Sequence, residues 1–457
     1  MELIRGYSTG KTRRGRREAT LALGLALVMA TGCTVGDRPP PGPTEVAAPG
    51  GPTIAQPAVP GLSVAPEARR VDLAMPTFSR PTEVTNPLFP VSDQRSVVML
   101  GRVDGRPFRT EVTLLPETRI IEWNGVAVET LVSQYAAFLD GRIHEVAYDY
   151  YAQDDRGAVW YFGEDVFNFA DGAIVDTHGT WTAGVDGPAA MIMPADPRVG
   201  DAYRPENIPG LVFEEVTVRS VDRSLPGPLG PVDGGLVIEE LHMDGTTEGK
   251  SFAPGYGEFR TAGGGDVEAL TLAVPTDSMG GPTPQTLRSI ERGATATFDA
   301  AGSGSWRRAG AAVRDMSAAW AGYEAHRAPA GISTRLQRSL DGLSRAVTAR
   351  SAHDARQAAI DAARWVLDLQ LRHRPAVAVD LARLKLWARQ LQVDAAAGDA
   401  ASVNGDLFSL DYVRDRVVGS MSLAEQTRMN TTLEELQGAV ADGDLDAASE
   451  IAASLTG

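Results

Sequence analysis

The residues with the most chemical potential in this sequence are crowded into one stretch, 149–165, which reads Asp-Tyr-Tyr-Ala-Gln-Asp-Asp-Arg-Gly-Ala-Val-Trp-Tyr-Phe-Gly-Glu-Asp. Three kinds of chemistry are open to it. Asp149, Asp154, Asp155, Glu164 and Asp165, with Asp171, Asp176 and Asp186 further on, supply oxygen donors of the kind calcium takes. Their spacing matches no EF-hand loop, so no metal ligands are assigned and calcium is at most an accessory. A pair of the same carboxylates can also serve as acid and base, as in glycoside hydrolysis, if the fold sets their separation. Tyr151, Trp160 and Tyr161 offer flat surfaces for a sugar ring or an acyl chain, with Asp149, Gln153, Glu164 and Asp165 to orient polar groups. Those seven residues are the candidate ligand-binding set, and no catalytic residue is assigned.

Positioning them requires a β-hairpin. Asp154-Asp155-Arg156-Gly157 is a turn sequence between two strand-like arms. With Gln153 opposite Ala158, Tyr151 lies opposite Trp160 and shares a face with it. A slip of one residue exchanges the faces.

Around the hairpin, short β-branched and aromatic runs recur from residue 77 to residue 280, including 96–100, 109–115, 126–137, 213–221 and 236–242. Asp104-Gly105, Asn124-Gly125, Asp140-Gly141, Asp171-Gly172 and Asp244-Gly245 punctuate them. These are hairpin connections, so the expectation is an antiparallel β domain curled into a half-barrel or barrel, or folded as a sandwich. After Gly280-Gly281-Pro282 the apolar spacing changes to that of helices, as in Trp306, Ala309, Val313, Met316 and Trp320. Asp354-Ala355, Asp399-Ala400 and Asp446-Ala447 recur at intervals of 45 and 47 residues near expected helix starts. Residues 284–457 are therefore read as an all-α bundle or array of helix hairpins, able to mediate assembly with a protein partner. The fold class is multidomain α+β.

The N-terminal region reads as an export signal. Arg13, Arg14, Arg16 and Arg17 precede the apolar run Leu21 to Met29 and then Ala30-Thr31-Gly32-Cys33. Cys33, the only cysteine, stands where a lipoprotein signal places its acylated residue. Residues 1–32 resemble a bacterial lipoprotein signal peptide, with Ala30 in place of the more usual leucine. Residues 33–76, rich in Pro, Gly and Ala, read as a disordered tether. The implied location is extracytoplasmic, with the membrane reached through acylated Cys33. The formal charge of −16 argues against a nucleic-acid partner.

The blocks 149–165, 193–204 (Met-Pro-Ala-Asp-Pro-Arg-Val-Gly-Asp-Ala-Tyr-Arg) and 252–257 (Phe-Ala-Pro-Gly-Tyr-Gly) resemble those of an uncharacterised family of exported bacterial proteins. The resemblance spans roughly 78–274 and implies no particular activity. Its last block is similar to the closing strand of curved sheets in exported ligand-binding and chaperone-like proteins. His144, His178 and His242 lie far apart in sequence and read as isolated, locally bonded side chains. No nucleophile elbow or phosphate-cradling glycine loop is present. Taken together, the sequence reads as a lipid-anchored, non-catalytic binding protein for an apolar or glycan ligand. The alternative is an extracytoplasmic hydrolase working through the 149–165 carboxylates.

If Cys33 is the anchor, metabolic acyl labelling marks the wild-type chain and not Cys33→Ala, and the variant leaves the membrane fraction. Equal membrane retention without label in both would remove the anchor.

Overall fold

The computed structural model describes residues 54, 59, 61–323 and 328–456. The expected signal peptide and Cys33 lie outside them. Within the stretch read as a tether, residues 61–76 pack against the sheet. Arg70 and Asp72 are buried and joined by two hydrogen bonds, and Asp72 also accepts from the Arg204 backbone N–H at 3.0 Å.

Among the described residues the chain forms fourteen strands and then eight α-helices. The strands are β1 (Ser96–Val103), β2 (Arg106–Trp123), β3 (Val126–Leu139), β4 (Arg142–Gln153), β5 (Val159–Ala170), β6 (Ala173–Asp176) and β7 (Trp181–Thr182). They continue with β8 (Ala190–Met193), β9 (Ala202–Ile208), β10 (Val212–Gly227), β11 (Gly230–His242), β12 (Thr247–Ala253), β13 (Gly257–Gly263) and β14 (Asp266–Val274). All belong to one antiparallel sheet in the order β6-β5-β4-β3-β2-β1-β14-β13-β12-β11-β10-β9, with β7 and β8 added on β5. Asp104-Gly105, Asn124-Gly125, Asp140-Gly141 and Asp171-Gly172 each hold both residues at positive φ. That is the backbone of a two-residue turn matching the twist of its strands. Pro116 lies within β2. A bulge between Leu114 and Thr118 carries the strand through it.

The sheet rolls on itself. β8 pairs with β5 and packs alongside β9, bringing the two ends of the strand order together around a lumen. The helices α1 (Gln285–Gly302), α2 (Trp306–Gly322), α3 (Ala330–Ala349), α4 (Ala352–Gln370), α5 (Ala376–Ala397), α6 (Ala400–Val417), α7 (Leu423–Ala441) and α8 (Leu445–Ser454) form the second domain. Asp399 caps α6 and Asp444 caps α8, whereas Ser351 caps α4 and accepts from the Asp354 N–H. The apolar core continues past Gly280-Gly281-Pro282. Phe138 stacks on Trp387 with centroids 5.4 Å apart, Phe169 meets Phe408 edge-on, and Val98 and Leu272 join the α1–α5 core.

A buried ion network fastens these layers. Arg109 on β2 is bidentate to Asp368 on α4 at 2.8 and 2.9 Å and also donates to Glu111 at 2.7 Å. Arg383 reaches Asp368 at 2.8 Å and Asp380 at 2.9 Å. Arg416 reaches Glu111 at 2.6 Å. The charges balance, and the guanidinium groups hold the Glu111 carboxyl well below its ordinary range despite burial. Removing one member strands the others. Asp368→Ala, which leaves Arg109 and Arg383 facing a void, is expected to destabilise by about 3–5 kcal/mol in denaturant titration. A loss under about 1 kcal/mol would mean that the network is not a fastening.

Candidate ligand-binding site

The hairpin takes the register one residue away from the in-phase pairing. Gln153 lies opposite Val159, Ala152 opposite Trp160 and Tyr151 opposite Tyr161. Tyr151 and Trp160 therefore do not share a face. A bulge comes next, with Phe162 and Gly163 together facing Tyr150, and Glu164 comes to lie opposite Asp149. Gly163 is at φ +124°, and a Cβ there would sit 2.2 Å from the Trp181 carbonyl oxygen on β7. The extra residue turns both Tyr161 and Glu164 toward the lumen, where Tyr151 and Asp149 already point. Tyr161 stacks on Tyr151 at 5.0 Å and donates to Asp149 Oδ1 at 2.7 Å.

The remaining candidates serve elsewhere. Trp160 belongs to an outer aromatic layer with Trp123 and Phe162, capped by Phe78, and its Nε1 donates to Asp154. Gln153 accepts from the Thr85 and Asn86 backbone N–H groups, pinning the segment before β1. Asp165 faces outward, bound to Arg119 and the Tyr150 hydroxyl. The acids considered for calcium are dispersed as braces. Asp154 holds its own turn, Asp155 ties down Thr77 and Ser79, and Asp186 accepts from the Thr182 N–H.

What the sequence analysis missed is a belt of carboxylates supplied by strands far from the hairpin. Glu206 on β9 lies opposite Glu214 on β10, which lies opposite His242 on β11. Glu240 lies opposite Glu248, Lys250 opposite Thr261, and Thr261 opposite Glu268. Glu164 from β5 and Glu206 from β9 meet where the roll closes, and burial raises the pKa of both, with the Glu206 charge adding at Glu164 and the Glu214 charge adding at Glu206. Inside is a cavity of about 110 Å³, approaching the roughly 150 Å³ that accommodates benzene. Val97, Met99, Val112 and Ile238 make part of its wall, and Phe89, Tyr135, Tyr151, Tyr203, Phe252 and Tyr256 supply rings. Its charged lining is Asp149, Glu214, Glu240, Glu258 and Glu268 against Lys250 alone.

The electrostatics reflect that imbalance. Burial pushes the Asp149 carboxyl up to about 7, against hydrogen bonds from Tyr161 and Tyr151. Burial likewise takes Glu240 to about 8, with the Glu214 charge adding and Lys250 opposing. Glu268 is held at about 8 by burial although the Thr110 hydroxyl donates to it. Glu164 and Glu206 are fully buried and neither has a donor on either carboxylate oxygen. Two carboxylates offer only acceptors, so contact between them requires a proton or a cation.

His242 is not isolated, as its sequence context suggested. It offers a nitrogen within 4.8 Å of carboxylate oxygens from Glu214 and Glu240. That triad is a poor fit for a divalent metal. Burial lowers the imidazole pKa, but the hydrogen bond and charge of Glu214 outweigh it and lift it to about 9. A protonated ring has no lone pair to give. The Lys250 ammonium also stands 2.6 Å from Glu240 and 3.3 Å from Glu248, where it would repel the ion. Neither the protein-family models nor the curated proteins compared with the chain match it. The role of the lumen has to be argued from its chemistry.

The pH dependence has a definite sign. Unfolded carboxyls release their protons near pH 4, whereas Asp149 keeps its proton to about 7, and Glu240 and Glu268 keep theirs to about 8. The folded state thus binds more protons across that window, and stability falls as pH rises through it. His242, raised to about 9, adds loss of the same sign at the alkaline end. The ligand-free protein should melt at a lower temperature at about pH 8.5 than at about pH 5.5 in calorimetry. Glu240→Gln should flatten the difference. A melting temperature that climbs with pH would show that the lumen carboxyls are not the governing groups.

Proposed function

We propose that this is a lipid-anchored cell-envelope protein whose rolled sheet binds a small organic cation without transforming it. The observation that carries the reading is the cavity wall, with five carboxylate side chains and one lysine around about 110 Å³. An uncompensated buried carboxylate is costly, and a bound cation relieves that cost as a proton does. The rings of Tyr135, Tyr151, Tyr203 and Tyr256 suit the same guest, because their faces attract an ammonium group. Lys250 shows the preference within the chain itself, since its ammonium is fully buried between Glu240 and Glu248. Aromatic and apolar walls together with carboxylates describe a guest with a hydrocarbon body and a charged amine. The helices brace the wall of the lumen and, on their outer face, offer a surface for a protein partner.

A second reading, an extracytoplasmic hydrolase, draws on Asp149, which lines the cavity with a pKa of about 7, suited to moving a proton near neutral pH. Turnover of aryl glycosides or esters that disappears in Asp149→Asn would favour it over binding alone.

Titration calorimetry at about pH 8 with tetramethylammonium and putrescine, set against neutral oligosaccharides and fatty acids, tests the proposal. The cations are expected to bind saturably and to raise the melting temperature. Asp149→Asn should weaken binding by about tenfold, the loss expected for one charge-assisted contact. Binding of a glycan or a fatty acid, with none by the amines, would overturn the cationic reading.

A further inference from the structure

A second cavity lies outside the roll, between the β1–β3 end of the sheet and helices α3 and α4. Its volume is about 370 Å³, and its charge is opposite to that of the lumen. Arg102 from β1, Arg109 from β2, Arg335 and Arg338 from α3 and Arg364 from α4 all line it, with Asp140 and Asp361 as its acids. This concentration of arginine stands out in a chain with a formal charge of −16.

Most of that positive charge is not neutralised. Arg109 is committed to Asp368 and Glu111, and Asp140 to Arg106 at 2.7 Å. Among the described residues, Arg102 donates to the Gly105 carbonyl alone and Arg335 to the Gly331 carbonyl alone, at 3.2 Å. Arg364 lies over the Trp387 ring at 5.3 Å. Among the described residues, Arg102, Arg335, Arg338 and Arg364 have no carboxylate within ion-pair distance. The repulsion is felt. Burial and then the charges of Arg109, Arg338 and Arg102 lower the pKa of Arg335, and burial lowers that of Arg364 although Asp361 is near.

We propose that this cleft binds a phosphate ester. The guanidinium groups of Arg102, Arg335, Arg338 and Arg364 approach from one strand and two helices, so they can engage oxygens pointing in several directions. A tetrahedral phosphate presents oxygens in that way, whereas a planar carboxylate satisfies a single fork. The volume exceeds what a bare phosphate needs. Trp365, flanked by Arg109 and Arg335 at 5.4 and 5.8 Å, and Phe108 and Leu100 provide an apolar wall for the organic part of the ester. The inference is independent of the lumen, with which it shares no lining residue.

The same chemistry occurs in a soluble ester and in a phospholipid headgroup, and two arms separate them. In the first, the full chain is titrated with glycerol 3-phosphate in about 0.05 M salt, where surface charge is weakly screened. In the second, the chain carrying Cys33→Ala, so that no acyl group contributes, is mixed with phosphatidylglycerol vesicles. Saturable binding in either arm is expected, weakened about tenfold by Arg338→Gln and further by Arg335→Gln/Arg338→Gln. Arg338 is exposed and makes no ion pair among the described residues, so its variant should melt with the wild type. Arg338→Lys, which keeps the charge but not the fork, should fall between. No binding in both arms, or equal affinity in wild type and the double variant, would overturn the site.

Discussion

Buried charge has to be compensated, and this protein meets that constraint in two opposite ways. Between the sheet and the helices, Arg109, Arg383 and Arg416 meet Glu111, Asp368 and Asp380 in equal number, every charge within reach of its partner. The result is a buried fastening that can form only when β2, α4, α5 and α6 are all in place. In the lumen the carboxylates outnumber Lys250 and His242. The protein answers there by holding protons, with Asp149 at about 7 and Glu240 and Glu268 at about 8. A structure that keeps acids protonated near neutral pH can exchange those protons for another cation, and a cavity at the same place supplies the room.

The geometry that creates the lumen depends on irregularities rather than on regular pleating. The bulge at Phe162 and Gly163 brings Glu164 to the same face as Tyr161. Another, between β9 and β10, sets Glu206 opposite Glu214. A third lies on β14, where Thr271 is the extra residue between the Val98–Leu272 and Met99–Leu270 pairs, so that Leu270 shares the face of Met99 while Leu272 packs with Val98 beneath the helices. Each adds a residue to one strand, bends the sheet and re-aims the side chains beyond it. Together they curl a long meander far enough for β5 and β9 to approach through β8.

The two faces of the wall then have different tasks. Inward-facing positions hold acids and tyrosines, whereas outward-facing ones hold the ion network and the rings that stack on α5 and α6. The cleft beside α3 and α4 arises on this outer side because Arg335, Arg338 and Arg364 project from helices toward a strand end already rich in arginine. A lumen that attracts cations and an outer cleft that attracts phosphate would be separated by the thickness of the sheet.

Local sequence was enough for the architecture. Asp-Gly and Asn-Gly pairs can hardly do anything but turn two strands back on each other, and the 3–4 spacing of Trp306, Val313, Met316 and Trp320 has no use in a strand. Hence the antiparallel sheet and the helical domain after Gly280-Gly281-Pro282 were legible. The 149–165 stretch was legible as a place of interest, and Asp149, Tyr151, Tyr161 and Glu164 do face the lumen. Trp160 does not, because a β register carries a one-residue ambiguity that exchanges the faces and only the neighbouring strands resolve it. Asp165 is turned outward past the bulge, and Gln153, at the strand end, is bound to the Thr85 and Asn86 N–H groups. The rest of the site was invisible for a related reason. β12 (Thr-Glu-Gly-Lys-Ser-Phe-Ala) and β9 (Ala-Tyr-Arg-Pro-Glu-Asn-Ile) turn polar side chains inward, so they lack the alternation that marks a half-buried strand. Glu206, Glu214, Glu240, His242 and Lys250 become neighbours through the pairing of β9 to β12, and Asp149 and Glu164 join them only when the sheet rolls. Proximity across strands is set by pairing order and curvature, and neither is written in the spacing of residues along the chain.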